Sequence, residues 1–162
     1  MGKKSRIILI GPTCAGKNYL KDRYLKRGFI GDVSYTTRKP RKGEVHGVDY
    51  YYLSNDEFNH KIDNDEFYEW IEYDDTRYGT GRKEWDNCEI FIMEANGISK
   101  LTEEDRNHSF IIYLNPERMI RENRMRNERH WPQKKVVIRA LEDFKRFSKF
   151  KDYDMEVINS TF

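Results

Sequence analysis

At 162 residues the chain is sized for one ordinary domain with a real core, and nothing in its composition suggests a tandem array. Charged residues make up 36% and aromatic residues 14%, so the surface is highly ionic while Tyr and Phe supply much of the interior, a mix that argues against disorder. The net charge of +2 is the remainder of 30 basic and 28 acidic residues, too balanced to announce a nucleic-acid protein, so only local clusters can be informative.

Cys14 and Cys88 give neither a disulfide framework nor a metal-ligand spacing, which points to a reducing compartment. Residues 1–6 lead straight into an apolar run too short for a signal peptide, and no segment approaches a membrane span. Arg6 stands where the amino-terminal lipidation pattern requires Ser or Thr. The expectation is a soluble, cytoplasmic protein with no membrane partner.

Residues 6–10 form an uninterrupted run rich in isoleucine, as a strand buried on both faces requires. The run stops at Gly11-Pro12-Thr13-Cys14-Ala15-Gly16-Lys17-Asn18. The spacing of Gly11, Gly16 and Lys17 is that of a phosphate loop, whose backbone N–H groups wrap phosphates while the lysine reaches the outer ones; Asn18 stands where Ser or Thr is expected. A helix over 17–26 is predicted next, with Leu20, Tyr24 and Leu25 at core-facing spacing. Strand, glycine loop and helix in that order let the loop amides and the helix amino terminus converge on one anion.

A first basic cluster, Arg38, Lys39, Arg41 and Lys42, lies on a segment that Pro40 and Gly43 keep from being helical. Its guanidinium forks can converge on one phosphate, and the competing reading is a solvated basic loop. Residues 47–53 read as a strand, and Ser54 with Glu57 is a capping box opening a short helix that carries Phe58 and Ile62 on one side. Residues 67–73 alternate, which puts Glu69 on the face of Phe67, Ile71 and Tyr73. A carboxylate on an apolar face needs a partner, either an internal arginine or a ligand offering two adjacent donors. Residues 77–81 read as a glycine-rich turn that presents Tyr78 and Thr80.

Residues 88–93 and 109–114 are predicted as two further buried strands, and such strands joined by helices favour a parallel sheet. Asn115-Pro116-Glu117 reads as a helix start, with a cap and then proline at the first helical position. That helix carries a second basic cluster, Arg118, Arg121, Arg124, Arg126 and Arg129, and Pro132 interrupts it. A helix over 133–151 follows with Val137, Ala140, Leu141, Phe144 and Ser148 facing the core, then a last strand over 155–158.

In this order the motifs resemble those of guanylate kinases. Residues 11–17 correspond to the phosphate loop, 34–44 (Ser-Tyr-Thr-Thr-Arg-Lys-Pro-Arg-Lys-Gly-Glu) to the family signature, 47–51 to its continuation, and 67–70 with Tyr78-Gly79 to the acceptor site. The likeness runs from residue 7 to about residue 97; beyond it only Arg124, Arg139 and the Val157-Ile158-Asn159 ending align. It implies an α/β phosphate-loop nucleoside-monophosphate kinase three-layer fold, whose core (1–32, 81–115 and 140–162) holds a parallel sheet and carries a small β-rich GMP-binding insert (33–80) and a helical lid (116–139). It also implies phosphoryl transfer from ATP, with Mg²⁺, to GMP or dGMP, by a monomer or weak dimer that binds no nucleic acid.

The resemblance further implies residue roles. Gly11, Thr13, Cys14, Ala15, Gly16, Lys17 and Asn18 would hold the ATP phosphates, with Asn18 the only candidate near the metal, through water. Arg38, Arg41, Tyr50 and Tyr78 would bind the GMP phosphate, and Glu69, Ser34 and Thr80 would read guanine, whose N1–H and 2-amino group match the two carboxylate oxygens. Lys17, Arg124 and Arg139 would stabilise transferring charge, and Glu94 would sit on the GMP side. Where the family has two Asp residues after the strand at 88–93, this chain has Ile92 and Glu94; its lid has Asn127-Glu128-Arg129 without the family's glycine; and residues matching the family's last helix are not found before Phe162. Asn18 and Ile92 motivate the alternative of a catalytically weak nucleotide- or peptide-binding module.

Overall fold

The computed structural model describes residues 5–73 and 75–158. In chain order the elements are β1 (Arg6–Ile10), α1 (Lys17–Leu25), β2 (Tyr35–Thr36), β3 (Tyr51–Tyr52), α2 (Asn55–Asp63), β4 (Phe67–Tyr73), β5 (Thr76–Gly81), α3 (Arg82–Asn87), β6 (Ile90–Ile92), α4 (Ala95–Ile98), α5 (Glu103–Asn107), β7 (Ser109–Leu114), α6 (Arg118–Asn127), α7 (Gln133–Phe147) and β8 (Met155–Val157). Met1, Gly2, Asn159 and Phe162, which entered the reading of the two ends, lie outside the described residues.

The apolar runs pair as a four-stranded parallel sheet in the order β6-β1-β7-β8. Alternation along β1 sends Ile8 and Ile10 to one face, where Phe91, Ile111, Tyr113 and Phe147 of α7 complete the main core. Leu9 points to the other face with Ile90 and Ile112, and Leu20 and Tyr24 of α1 cover it. Helices on both faces make the three layers that the fold class predicts, although Leu25 turns out to face solvent. Each fully buried aliphatic side chain here contributes roughly 1.5–3 kcal/mol relative to exposure. Ile111→Ala is therefore expected to lower the unfolding free energy by about 2–5 kcal/mol, including the cavity it leaves, as read from a urea melt.

Residues 35–81 build a second sheet in the order β3-β2-β5-β4, in which β5 runs antiparallel to both its neighbours. The alternation read along 67–73 holds: Phe67, Glu69 and Ile71 are buried. On the intervening positions of the same strand, the Tyr68 ring stacks on Trp85 at 3.9 Å and its hydroxyl donates to Asp105 at 2.8 Å, so β4 is stapled to the main core.

Several local readings are corrected. Residues 77–81 are not a turn but most of β5; glycine lowers strand propensity, yet a Cβ at Gly79 would lie 2.8 Å from the Phe67 ring, so the strand needs glycine there. Of residues 47–53 only two pair as a strand, because Gly47 has φ +78° and the Val45 N–H is held by Asp49 in a turn at 2.7 Å. The capping box at Ser54 and Glu57 forms as expected.

Helix α6 begins at Arg118, not at a cap on Asn115. The Asn115 backbone N–H instead continues the pairing toward β8 by donating to Val157 O at 2.9 Å, and its amide donates to Glu156 at 2.8 Å. In α7 the buried face is Val136, Ala140, Asp143 and Phe147, one position away from the predicted apolar stripe. Val137, Leu141 and Phe144 are exposed, Phe144 by 67%. The shift has a physical source: a charged residue, Asp143, occupies a core-facing position because buried partners satisfy it, and apolar periodicity cannot see that.

Candidate active site

Strand β1 delivers the glycine loop to the carboxyl edge of the parallel sheet. A Cβ on Gly11 would lie 2.2 Å from the Leu114 carbonyl oxygen, so glycine is required by the close approach of β7. The loop curls through left-handed conformations at Cys14 (φ 58°) and Gly16 (φ 99°). Gly16 caps α1 without a side chain, so the first-turn N–H groups meet no side-chain competitor at the cap. Lys17 folds back on the loop, its ammonium donating to the carbonyls of Gly11 and Pro12. Burial lowers its pKa, opposed by the nearby Glu94 and Asp143 carboxylates.

Across the cleft, Arg38 makes a two-pronged contact with Glu44, at 2.9 and 3.0 Å, and Arg41 lies 3.7 Å from the same carboxylate. Burial alone would raise the Glu44 pKa, but the Arg38 fork, the Arg41 backbone N–H and the Tyr52 hydroxyl outweigh it and bring it down to about 2. Arg38 also lies over the Tyr50 ring, 5.4 Å from its centroid, and Tyr50 meets Tyr78 edge-on. Two arginines and two tyrosines thus line one part of the cleft, Arg38 and Arg41 from the basic loop, Tyr50 from just before β3 and Tyr78 from β5.

Glu69 is 8% exposed. Of the two partners left open for it, the structure supplies no arginine among the described residues: the Thr80 hydroxyl donates to Oε1 at 2.9 Å. Burial pushes its pKa up to about 7, with the Thr80 hydrogen bond and Lys100 opposing and Asp32 and Glu94 adding to the rise. The other oxygen, Oε2, faces α4, where a Cβ on Gly97 would stand 3.0 Å from it. Ser34 donates to Asp32 at 2.6 Å.

Of the α6 arginines, Arg124 reaches the phosphate loop, donating to Cys14 O at 3.1 Å. Arg121, read from sequence as part of a basic helix face, is instead buried and paired with Asp143 at 3.2 Å. Arg139 donates to the Tyr73 hydroxyl at 2.6 Å. Glu94 is paired with Arg146 at 2.9 Å, and the Arg146 guanidinium lies 4.0 Å from the Tyr73 ring centroid.

Most of these groups line one cleft of about 450 Å³, while Asp32, Tyr52, Gly97, Arg121 and Asp143 stand behind its wall. Every site residue predicted from sequence borders it except Gly11, which lies beneath the loop against Leu114. Sequence reasoning missed Glu44, Tyr73, Gly97, Asp143 and Arg146. Glu44 lay within the quoted signature, and Tyr73 shared the alternation with Glu69. For Asp143 and Arg146 the available signal was an opposite-charge pair three residues apart on the same face as Ala140 and Phe147. A divalent cation is poorly served by the side chains themselves: Asn18 is neutral and exposed, Glu94 is engaged by Arg146, and no cluster of three metal-ligating side chains occurs among the described residues.

A family-wide sequence profile described as guanylate kinase matches residues 3–162. The guanylate kinase of Latilactobacillus sakei is 32% identical over 162 residues, covering 94% of this chain and 80% of that protein. That of Clostridium acetobutylicum is 34% identical over 169 residues, covering 99% of this chain and 81% of that protein. A crystal structure of guanylate kinase from Anaplasma phagocytophilum matches with a TM-score of 0.73 at 25% identity, over 98% of this chain and 78% of that one.

Proposed function

The chain belongs to the guanylate kinase family, and on that premise we propose how its own residues carry ATP-dependent phosphorylation of GMP. The observation that carries the reading is the pairing, in one cleft, of a phosphate-loop lysine with a buried carboxylate, Glu69, that Thr80 holds by a single hydrogen bond to Oε1. Residues 33–80 take the nucleoside monophosphate, 116–139 act as the lid, and the remainder of 1–162 is the core.

The phosphate loop of residues 11–18 takes the donor phosphates together with Lys17, through backbone N–H groups other than those of Pro12, which has none, and Thr13, whose N–H is held by Asp143. Arg38 and Arg41, with Tyr50 and Tyr78, take the acceptor phosphate; Arg38 must then share or leave Glu44, whose fixed negative charge keeps the guanidinium aimed while the site is empty of phosphate. Glu69 reads guanine. Its ionised form accepts N1–H and the 2-amino group side by side, whereas adenine offers no such pair and leaves a buried carboxylate unpaired. Thr80 holds the same carboxyl, and Ser34 and Glu94 line the neighbouring wall. Arg124 and Arg139 enter from the helices to neutralise the equatorial oxygens in the transition state, with the acceptor phosphate itself as nucleophile. The acceptor class includes both GMP and dGMP.

Mg²⁺ would accompany ATP on this reading; no group of three carboxylate, histidine or cysteine side chains that could hold it occurs among the described residues, and Asn18 would be the residue near it, through water. Asn18→Ser is accordingly expected to keep or raise activity at every Mg²⁺ concentration, and a clear fall in metal-dependent turnover would make the asparagine a specific adaptation.

A coupled assay with ATP and GMP, run beside AMP, CMP and UMP, tests the reading. The expected result is turnover with GMP at least about a hundredfold above AMP, the scale of discrimination that an unpaired buried group imposes. Equal turnover with AMP, or none with GMP, would sink it. A purely binding module is disfavoured by Lys17, which such a module has no chemical reason to keep at the donor site.

A further inference from the structure

The main core face of α7 carries a carboxylate, Asp143, that is 1% exposed. Its lone pairs are filled from three directions. Oδ2 accepts the Thr13 backbone N–H at 3.0 Å and Arg121 at 3.2 Å, while Oδ1 accepts the Thr13 hydroxyl at 3.2 Å and Arg146 at 2.6 Å. Thr13 belongs to the phosphate loop and Arg121 to α6, and the second arm of Arg146 reaches Glu94 at the start of α4. A chain of charge-assisted hydrogen bonds, Thr13–Asp143–Arg146–Glu94, therefore runs from the donor wall of the cleft to the acceptor wall. Arg146 Nε is buried without a hydrogen-bond partner among the described residues. A network kept only for stability would be better filled by apolar side chains of the same volume than by an incompletely satisfied buried arginine.

We propose that Asp143 is the positioning residue of the phosphate loop, fixing it through both polar groups of Thr13, and that Arg146 carries that position to the acceptor wall through Glu94. Asp143 holds the loop in the curled form that points its amides at the donor phosphates, and Arg121 couples the same carboxylate to the root of α6. Arg146 sets the distance between the two walls rather than the affinity of either. In-line phosphoryl transfer depends steeply on that distance, since a displacement of about 1 Å can change the rate by about a hundredfold.

The loop part is tested by titrating the whole protein with ATP and, separately, with GMP in a calorimeter. Thr13→Val and Asp143→Asn are each expected to weaken ATP binding by about five- to twentyfold. The double variant should be no weaker than the worse single variant, because both remove one contact. Thr13→Ser should restore wild-type ATP affinity, and GMP affinity in Thr13→Val should stay within twofold. Should Asp143→Asn fail to fold, the Val and Ser variants at position 13 still decide the loop claim. ATP affinity within twofold of wild type in Thr13→Val, additive losses in the double variant, or an equal loss of GMP affinity would overturn it.

The relay part rests on the kinase reading and is tested by turnover. Arg146→Met is expected to lower kcat at least tenfold while KM for ATP and GMP each moves less than threefold, with Arg146→Lys recovering part of the loss. A lower melting temperature with kcat within twofold of wild type would reduce Arg146 to a structural role. If the Thr13 and Asp143 variants show the expected effects on ATP binding but the wild-type protein never phosphorylates GMP, the kinase reading fails and the loop claim stands.

Discussion

Glu69→Gln is expected to lower kcat/KM for GMP by about a hundredfold to a thousandfold, through KM far more than through kcat, while turnover of AMP stays where it was. The magnitude follows from losing one charge-assisted acceptor of guanine and presenting an amide N–H to a base donor instead. Steady-state kinetics with both nucleotides checks it, and an unchanged preference for GMP would refute the guanine-reading role. The same carboxyl gives the reaction a pH dependence. Its folded pKa, raised to about 7 by burial, means that below neutrality a growing fraction is protonated and can accept from only part of the guanine edge. KM for GMP should therefore climb as pH falls from 8 to 6, and the climb should vanish in the Gln variant.

The linkage to stability has the opposite sign. A carboxyl whose folded pKa lies above the unfolded value near 4.3 favours the fold fully below that value, and the benefit is lost as pH rises through about 7. At pH 8 the ligand-free protein thus carries a buried charge at a cost of the order of 3 kcal/mol. Glu69→Gln should melt higher than wild type at pH 8 and about equally at pH 4.5. On the proposed guanine-reading role, selectivity and the stability of the ligand-free fold are in direct opposition at this one residue.

Lys17→Met is expected to reduce kcat by about a hundredfold to a thousandfold with little change in GMP affinity, because the ammonium acts on donor charge that grows in the transition state. Lys17→Arg should not restore it: the larger planar fork cannot occupy the tight curl in which the amine donates to the carbonyls of Gly11 and Pro12. Single-turnover measurements separate this from product release. Full activity in Lys17→Met would remove the phosphate loop from the mechanism.

What the sequence made legible was whatever obeys a period or a fixed spacing. Strand β1, the loop after it, the capping box at Ser54 and the alternation around Glu69 all followed from residue order, because each depends on neighbours within a few positions. Contacts between distant segments were invisible. The glycines of β5 looked like a turn because the Phe67 ring that needs Gly79 bare lies on another strand. The face of α7 was misassigned because Asp143 is made tolerable in the interior by Thr13, Arg121 and Arg146, which lie 130, 22 and 3 residues away. Asn115 looked like a cap, but the edge of β8 takes its donors. In each case a tertiary partner overrode a local preference.

The arrangement of the aromatic residues has an optical consequence. The chain holds three tryptophans, and the fold sends each to a different environment. Trp85 is buried between the Tyr68 ring and the Arg6 guanidinium. Trp70 belongs to the second sheet, edge-on to Phe58 and near the Lys100 ammonium. Trp131 borders the cleft with the Lys135 ammonium 4.2 Å from its ring centroid. The intrinsic emission of the protein is therefore the sum of a core indole, a second-sheet indole and a cleft indole. The first reports on whether the chain is folded, and the last on changes in the cleft.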